Sequence, residues 1–160
     1  MRIAVAGCGI AGLASAILLV RSGHDVELFD RFVEPQPIGS GLIVQPTGLA
    51  VLDQIGVADQ IIAAGSRIER LRGEADGRVV LSVDYSALGA SHDWCGIGIH
   101  RAALFDLLFE QVLASRVRVR GGCEVEAVRQ DRDLCWLEFA DSAESLRTPK
   151  NSIRRKWNPG

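Results

Sequence analysis

Residues 5–16 read VAGCGIAGLASA and lie inside an apolar run from Ile3 to Val20. The run has three candidate readings: a membrane span, an export signal, or a glycine turn between a strand and a helix. Met1-Arg2 imitates the basic start of a secretory signal. The run, however, passes straight into Arg21-Ser22-Gly23-His24-Asp25, with no small-residue cleavage site. A membrane span needs about 20 apolar residues, and three of the residues here are glycines. Only the third reading explains where those glycines stand. Arg2 to Ala6 (RIAVA) suits a short buried parallel strand and Leu13 to Ser22 suits a helix, with Gly7-Cys8-Gly9-Ile10-Ala11-Gly12 between them.

This is G-x-G-x-x-G where a strand must turn into a helix. Gly7 allows the tight turn, Gly9 lets the backbone approach a pyrophosphate, and Gly12 lets helix and strand pack closely. The helix start offers unpaired N–H groups and the positive end of the helix dipole to phosphates, and Ile10 and Ala11 of the turn count with the glycines as cofactor-binding residues. After Gly23, a helix stop, Val26-Glu27-Leu28-Phe29-Asp30 alternates apolar and polar residues and ends in a carboxylate. Asp30 lies 18 positions beyond Gly12, where an acid hydrogen-bonds the hydroxyls of an adenosine ribose. An acid there disfavours a 2′-phosphate, hence NADP in this site, but does not separate NAD from FAD. Ala14, Ala16, Ile17 and Leu18 fit a helix packed on a sheet.

Composition limits the alternatives. At 160 residues the chain is one ordinary domain or part of a larger one. With 48% hydrophobic and 24% charged residues it has the apolar mass for a core, which excludes wholesale disorder. A net charge of -2 supplies no basic stripe for a nucleic-acid backbone, so no nucleic-acid partner is expected. Cys8, Cys95, Cys123 and Cys135 are too scattered for C-x-x-C chemistry and fit incidental thiols in a reducing cytoplasm. No metal site and no integral membrane segment are expected.

Three stretches together carry a family resemblance. GCGIAGLASAILLVRSGHDVELFDR, residues 7–31, looks like the ADP-binding start of FAD-dependent oxidoreductases, in which an acid and an arginine, here Asp30 and Arg31, follow the second strand. IGSGLIVQPTGLAVLDQIGV, residues 38–57, and IGIHRAALFDLLFEQV, residues 97–112, resemble segments of the aromatic-hydroxylase group of flavoprotein monooxygenases, the para-hydroxybenzoate hydroxylase class. The resemblance covers residues 2–139. It implies an α/β fold, a Rossmann-like FAD/NAD(P)-binding βαβ domain, incomplete here and with an inserted β-hairpin. It implies FAD as cofactor, NAD(P)H as electron donor, O2, and a small, often aromatic, substrate. It further implies that Arg101, of the group's R-x-x-L helix, contacts the FAD, and that the backbone near Val125 lies against the adenine.

The residues themselves are compatible with this. Gly39, Gly41 and Pro46 mark an irregular loop in which Gly41 allows backbone contact with a flat ligand. Leu49, Leu52, Ile55, Val57, Ile61 and Ile62 fit short amphipathic helices. From Arg101 to Ser115, Leu104, Leu107, Leu108 and Val112 recur at helical spacing, which puts Arg101 in the first turn. A cation is disfavoured there by the helix dipole, so Arg101 calls for an anionic partner. Glu74-Ala75-Asp76-Gly77 with alternating Val79, Leu81 and Val83 predicts a hairpin. Val117–Arg120, Cys123–Val128 and Leu134–Phe139 read as strands. His92, Trp94 and His100 are candidates to line a pocket, although core or surface positions without chemistry are the better reading of them. No residue qualifies as a general acid, base or nucleophile, so no catalytic residue is named.

The pattern breaks near residue 141. Every lysine and asparagine (Lys150, Lys156, Asn151, Asn158) falls in the last eleven residues. Residues 147–160 carry five basic residues and no acid, which leaves 1–146 with 13 basic against 20 acidic. The expectation is an N-terminal part of an FAD-binding domain over 1–140, followed by a basic segment, 141–160, disordered or out of frame. Without the rest of the fold, one sheet face is expected to expose apolar surface. Such a chain supplies the ADP half of an FAD site and is inactive alone. The alternatives are another FAD oxidoreductase, a non-catalytic nucleotide-binding or interaction module, and an inactive truncated fragment.

Overall fold

The structure is a computed structural model that describes residues 1–88, 95–130, 132 and 135–140. His92, Trp94 and the basic segment 141–160 lie outside the described residues. In chain order the elements are β1 (Arg2–Ala6), α1 (Ile10–Arg21), β2 (Asp25–Phe29), β3 (Gly41–Val44), α2 (Pro46–Ile55), α3 (Ala58–Ala64), β4 (Ser66–Ile68), β5 (Arg70–Ala75) and β6 (Arg78–Asp84). A single 3-10 turn at Tyr85–Leu88 precedes β7 (Gly96–His100), α4 (Arg101–Leu113), β8 (Arg118–Arg120), β9 (Val125–Gln130) and β10 (Cys135–Phe139). The fold is mixed α/β. Two compact units divide it: Met1–Gln36 with the described residues from Phe109 onward, and Pro37–Leu108. No helix among the described residues is long and apolar enough to cross a membrane.

In the first unit β1, β2 and β8 form a parallel sheet in the order β1-β2-β8, and α1 connects β1 to β2. The alternation of β2 explains the packing. Val26 and Leu28 are fully buried, and on α1 Leu13, Ala16, Ile17 and Val20 are buried. Ala14 and Leu18 are only half-buried. Burying each large aliphatic side chain contributes about 1.5–3 kcal/mol. The helix ends as the sequence predicts, with the His24 N–H donating to Leu19 O (3.1 Å) and the Gly23 N–H to Val20 O (3.0 Å). It begins three residues earlier than expected, at Ile10, because the last glycine of the turn already belongs to its first turn.

The expected buried strand Arg2–Ala6 is only half-buried along its middle. One face of the sheet carries α1, while the other carries Arg2, Ala4, Asp25, Glu27, Phe29, Arg118 and Arg120, as the registers dictate. The expectation of an exposed apolar face does not hold for this sheet; exposed apolar side chains lie instead on other strands, foremost Val79, Val80 and Leu81 of β6. Phe29 is the one large apolar side chain on the face opposite α1, and its ring lies 5.2 Å from that of Phe139 on β10. The remainder is an ion-pair network around Glu27, with Arg2 at 3.2 Å and Arg118 at 3.1 Å. Strands β9 and β10 pair antiparallel.

In the second unit β3, β7 and β4 form an antiparallel sheet in the order β3-β7-β4. Val44, Ile97 and Ile99 point to one side and are buried, as are Leu49, Leu52 and Ile55 of α2 and Ile61 of α3. Ile62 is half-buried. The stretch taken as an irregular loop over Gly39–Pro46 thus contains a strand, and Pro46 opens a helix at its first position, where its missing N–H costs nothing. Strands β5 and β6 pair antiparallel through the turn at Asp76-Gly77. On α4 the buried residues are Leu104, Phe105, Leu108 and Val112, with Leu107 only half-buried.

Candidate functional site

The glycine turn joins β1 to α1 and is locked to the end of β2. The Gly7 N–H donates to Phe29 O at 2.7 Å, and the Cys8 N–H donates to Asp30 Oδ2 at 2.6 Å. Asp30 is fixed on every side. Its own N–H donates to Arg120 O (2.9 Å), its carbonyl accepts from the Cys123 N–H (2.7 Å), and its Oδ1 accepts from the Phe32 N–H (2.9 Å). Sequence reasoning missed the contribution of Cys8, a backbone N–H whose role the side chain does not advertise. Burial, with the Asp30 carboxylate beside it, pushes the Cys8 thiol up to about 12.

The three glycines of the turn differ in what demands them. Gly7 has φ +96°, a conformation side chains rarely adopt. A Cβ at Gly12 would stand 1.9 Å from Gly7 O, so nothing larger fits between turn and helix. Gly9 is under neither constraint. Its backbone is extended (φ -82°, ψ 179°), and a Cβ there would meet no atom within 4 Å. The protein interior gives no reason for a glycine at this position, which faces open space at the start of α1.

That helix start is uncapped. Gly9 is the N-cap with no side-chain hydrogen bond, and the first turn holds no acid. The Leu13 N–H bonds Gly9 O at 2.9 Å, so the helix ladder begins only there and the N–H groups of Ile10, Ala11 and Gly12 have no intrahelical acceptor. Unpaired donors, a positive helix end and a missing side chain suit an anionic group that approaches the backbone. Asp30 fits an adenosine ribose as well. Each carboxylate oxygen has two acceptor positions and one is filled, which leaves one on each oxygen for a pair of vicinal hydroxyls. The residues present therefore fit the ADP half of FAD.

Arg31, next to Asp30, is exposed and lays its guanidinium 4.7 Å from the ring centre of Phe32. Val125 opens β9, half-buried, opposite Phe139. Gly7–Gly12, Asp30, Arg31 and Val125 all belong to the first unit.

Gly41 and Arg101 belong to the second unit and meet within it. Gly41 opens β3 opposite His100, and the Arg101 N–H donates to Ser40 O at 3.1 Å. A Cβ at Gly41 would touch only Ile99 O at an ordinary 3.5 Å, so this glycine too is not demanded by packing. Arg101 stands at the first position of α4 and is exposed. Among the described residues no carboxylate pairs with it, so the anionic partner it calls for is not one of them. The arginine side chain lies against Gly39, a residue the sequence marked only as loop. His100 lines an open trough of about 540 Å³ together with Gly41, Ser66 and Gly98. Among the described residues no group of histidine, cysteine, aspartate and glutamate side chains is arranged to hold a metal ion.

Comparison with known proteins agrees with this geometry. A family profile described as "FAD binding domain" matches residues 1–147. The 3-amino-4-hydroxybenzoate 2-monooxygenase of Streptomyces cremeus is 32% identical over 148 residues, covering 88% of this chain and 36% of the relative. The 6-hydroxynicotinate 3-monooxygenase of Bordetella bronchiseptica is 26% identical, covering 89% and 37%. Among solved structures, 2-methyl-3-hydroxypyridine-5-carboxylic acid oxygenase superposes with a TM-score of 0.68 at 25% identity, over 86% of this chain and 35% of the other. The chain thus spans little more than a third of the length of these relatives. The profile match, the relatives and the turn locked to Asp30 converge on one assignment: the chain belongs to the FAD binding domain family and corresponds to the N-terminal part of FAD-dependent aromatic monooxygenases.

Proposed function

We propose that this chain binds the ADP half of FAD in a Rossmann-like βαβ unit of a flavoprotein monooxygenase that hydroxylates a small, often aromatic, substrate. The observation that carries the reading is Gly9: it is the one glycine of the turn that neither its φ nor internal packing demands, and it stands at an uncapped helix start. In this reading the pyrophosphate lies against Gly7, Gly9, Ile10, Ala11 and Gly12, the Asp30 carboxylate accepts from the ribose, Arg31 flanks it, and Val125 lies against the adenine. Gly41 and Arg101 contact the same cofactor. Residues 1–140 form the N-terminal part of the domain, with β5 and β6 as an inserted hairpin. The cytoplasm is the proposed compartment, in keeping with four free cysteines.

When bound, FAD supplies the redox chemistry, taking electrons from NAD(P)H. The residues of this chain bind and orient it. The backbone donors of the turn neutralise phosphate charge, and Asp30 fixes the adenosine end and discriminates against a 2′-phosphate. The names of the relatives, a 3-amino-4-hydroxybenzoate 2-monooxygenase and a 6-hydroxynicotinate 3-monooxygenase, support an aromatic substrate. The test is an equilibrium titration of the 160-residue chain with FAD, FMN and NADH, followed by flavin or nicotinamide fluorescence. Saturable binding with FAD preferred over FMN supports the reading, since FMN lacks the adenosine half. Equal affinity for both flavins, or none in a folded protein, refutes it and favours an interaction module.

A further inference from the structure

We propose that Gly39 is a positioning residue for Arg101: its missing side chain is the ledge across which the arginine stem lies, and this fixes where the guanidinium points. The inference rests on the reading that Arg101 contacts FAD.

Four observations meet at this place. A Cβ at Gly39 would stand 3.0 Å from Arg101 Nε, 3.2 Å from its Cδ and 3.6 Å from its Cζ, so the side chain is seated on the backbone of the loop along its outer half. The φ of Gly39 is +114°, which turns the chain so that this backbone faces the arginine. The next residue anchors the other end of the same arginine, because the Arg101 N–H donates to Ser40 O. The pairing of Gly41 with His100 fixes the register between loop and helix start. Arg101 is thus held at its backbone and along its stem, while no described carboxylate holds its charge. An exposed arginine ordinarily loses much rotamer entropy when it engages a ligand, and a seated stem reduces that loss in advance. The contact is also directional: the planar guanidinium continues from the seated Nε, whereas an ammonium on a flexible stem has no such continuation.

The experiment is a double-mutant cycle on FAD affinity in the full 160-residue chain, using Gly39→Ala, Arg101→Ala and the pair, with Arg101→Lys as a second variant. Far-UV circular dichroism checks the fold of each. Arg101→Ala is expected to weaken FAD binding by roughly ten- to a hundredfold, the range for a lost charge-assisted hydrogen bond. Gly39→Ala should weaken it about tenfold in the parent and less than about twofold in the Arg101→Ala background, since a misplaced arginine and a missing one are equivalent. Arg101→Lys should bind as poorly as Arg101→Ala. Equal losses from Gly39→Ala with and without Arg101, or no loss at all, overturn the positioning role. Should Gly39→Ala not fold, Arg101→Lys decides: affinity within twofold of the parent shows that charge alone suffices and overturns the proposal. If Arg101→Ala itself leaves FAD affinity unchanged, the failure lies in the reading of Arg101 as a cofactor contact, and the proposal falls with it.

Discussion

Replacing Asp30 by asparagine tests how the turn is held, independently of any ligand. The carboxylate accepts two backbone N–H groups, from Cys8 at 2.6 Å and Phe32 at 2.9 Å. An amide of the same shape offers one oxygen. Whichever N–H faces the new NH2 group loses its acceptor, and the other exchanges a charged acceptor for a neutral one. Hydrogen bonds to charged groups contribute about 1.5–3 kcal/mol and neutral ones about 1 kcal/mol, which places the combined loss at about 2–5 kcal/mol in a dry site. Asp30 is only half-buried, so water recovers part of it, and about 1–2 kcal/mol is the expected net loss of stability. For a chain of this size that lowers Tm by roughly 2–8 °C. Thermal unfolding at pH 7 measures the total, and amide exchange at Cys8 and Phe32 localises it, since one of those protected N–H groups should exchange much faster. Glu34→Gln, an exposed acid on the same loop, serves as control and should shift Tm by less than about 1 °C. An Asp30→Asn chain as stable as the parent, with both amides still protected, would refute the claim that the carboxylate organises the turn.

Three further outcomes follow from the same geometry. Gly12→Ala drives a Cβ to 1.9 Å from Gly7 O, backbone against side chain with no soft partner, and should cost about 3 kcal/mol or more in a denaturant titration. Arg118→Ala should reduce the acid-dependent part of the stability of the first unit. The hydrogen bond from Arg118, then its charge and that of Arg2, hold Asp25 below 3.8. Burial pushes Glu27 up, but hydrogen bonds from Arg118 and Arg2 and nearby arginine charges outweigh it and hold Glu27 below 4.5. A depressed carboxyl stabilises the fold above its unfolded pKa and loses that effect as pH falls through its folded pKa. The parent should therefore exceed the variant in Tm at pH 6–7, with the gap closing below about pH 4; a gap independent of pH would contradict the network. Finally, a thiol reagent at pH 8 should modify Cys123 and Cys135 and spare buried Cys8, whose thiolate fraction with a pKa of about 12 is only about one in ten thousand. Rapid labelling of Cys8 in the folded chain would show that the turn opens.

The features legible in the sequence are those set by local chemistry. The order strand, glycine turn, helix, strand, acid over residues 2–30 follows from period and from turn residues, and Arg101 at a helix start follows from the spacing of Leu104, Leu108 and Val112. The antiparallel sheet of the second unit was not legible. β3 is four residues that open on Gly41, two positions after Gly39, and β7 (GIGIH) alternates its isoleucines with glycines, which lack the side chains that signal a strand. Their pairing is a long-range fact. The same holds for Gly39, whose neighbour Arg101 is distant in sequence, and for Cys8, which acts through its backbone. The charged character of the face opposite α1 was not legible either, because its charges come from three strands, Arg2 on β1, Glu27 on β2 and Arg118 on β8, and only their registers bring them together.

The most direct measurement compares FAD affinity and stability in the parent and in Gly9→Val. A Cβ at Gly9 meets no atom within 4 Å, so the variant should stay folded, its Tm lowered only by what valine costs as an N-cap residue. FAD binding should weaken at least tenfold, 1.4 kcal/mol or more, because the backbone can no longer be approached. A folded Gly9→Val chain binding FAD within about twofold of the parent would contradict the assignment of this turn as the pyrophosphate site.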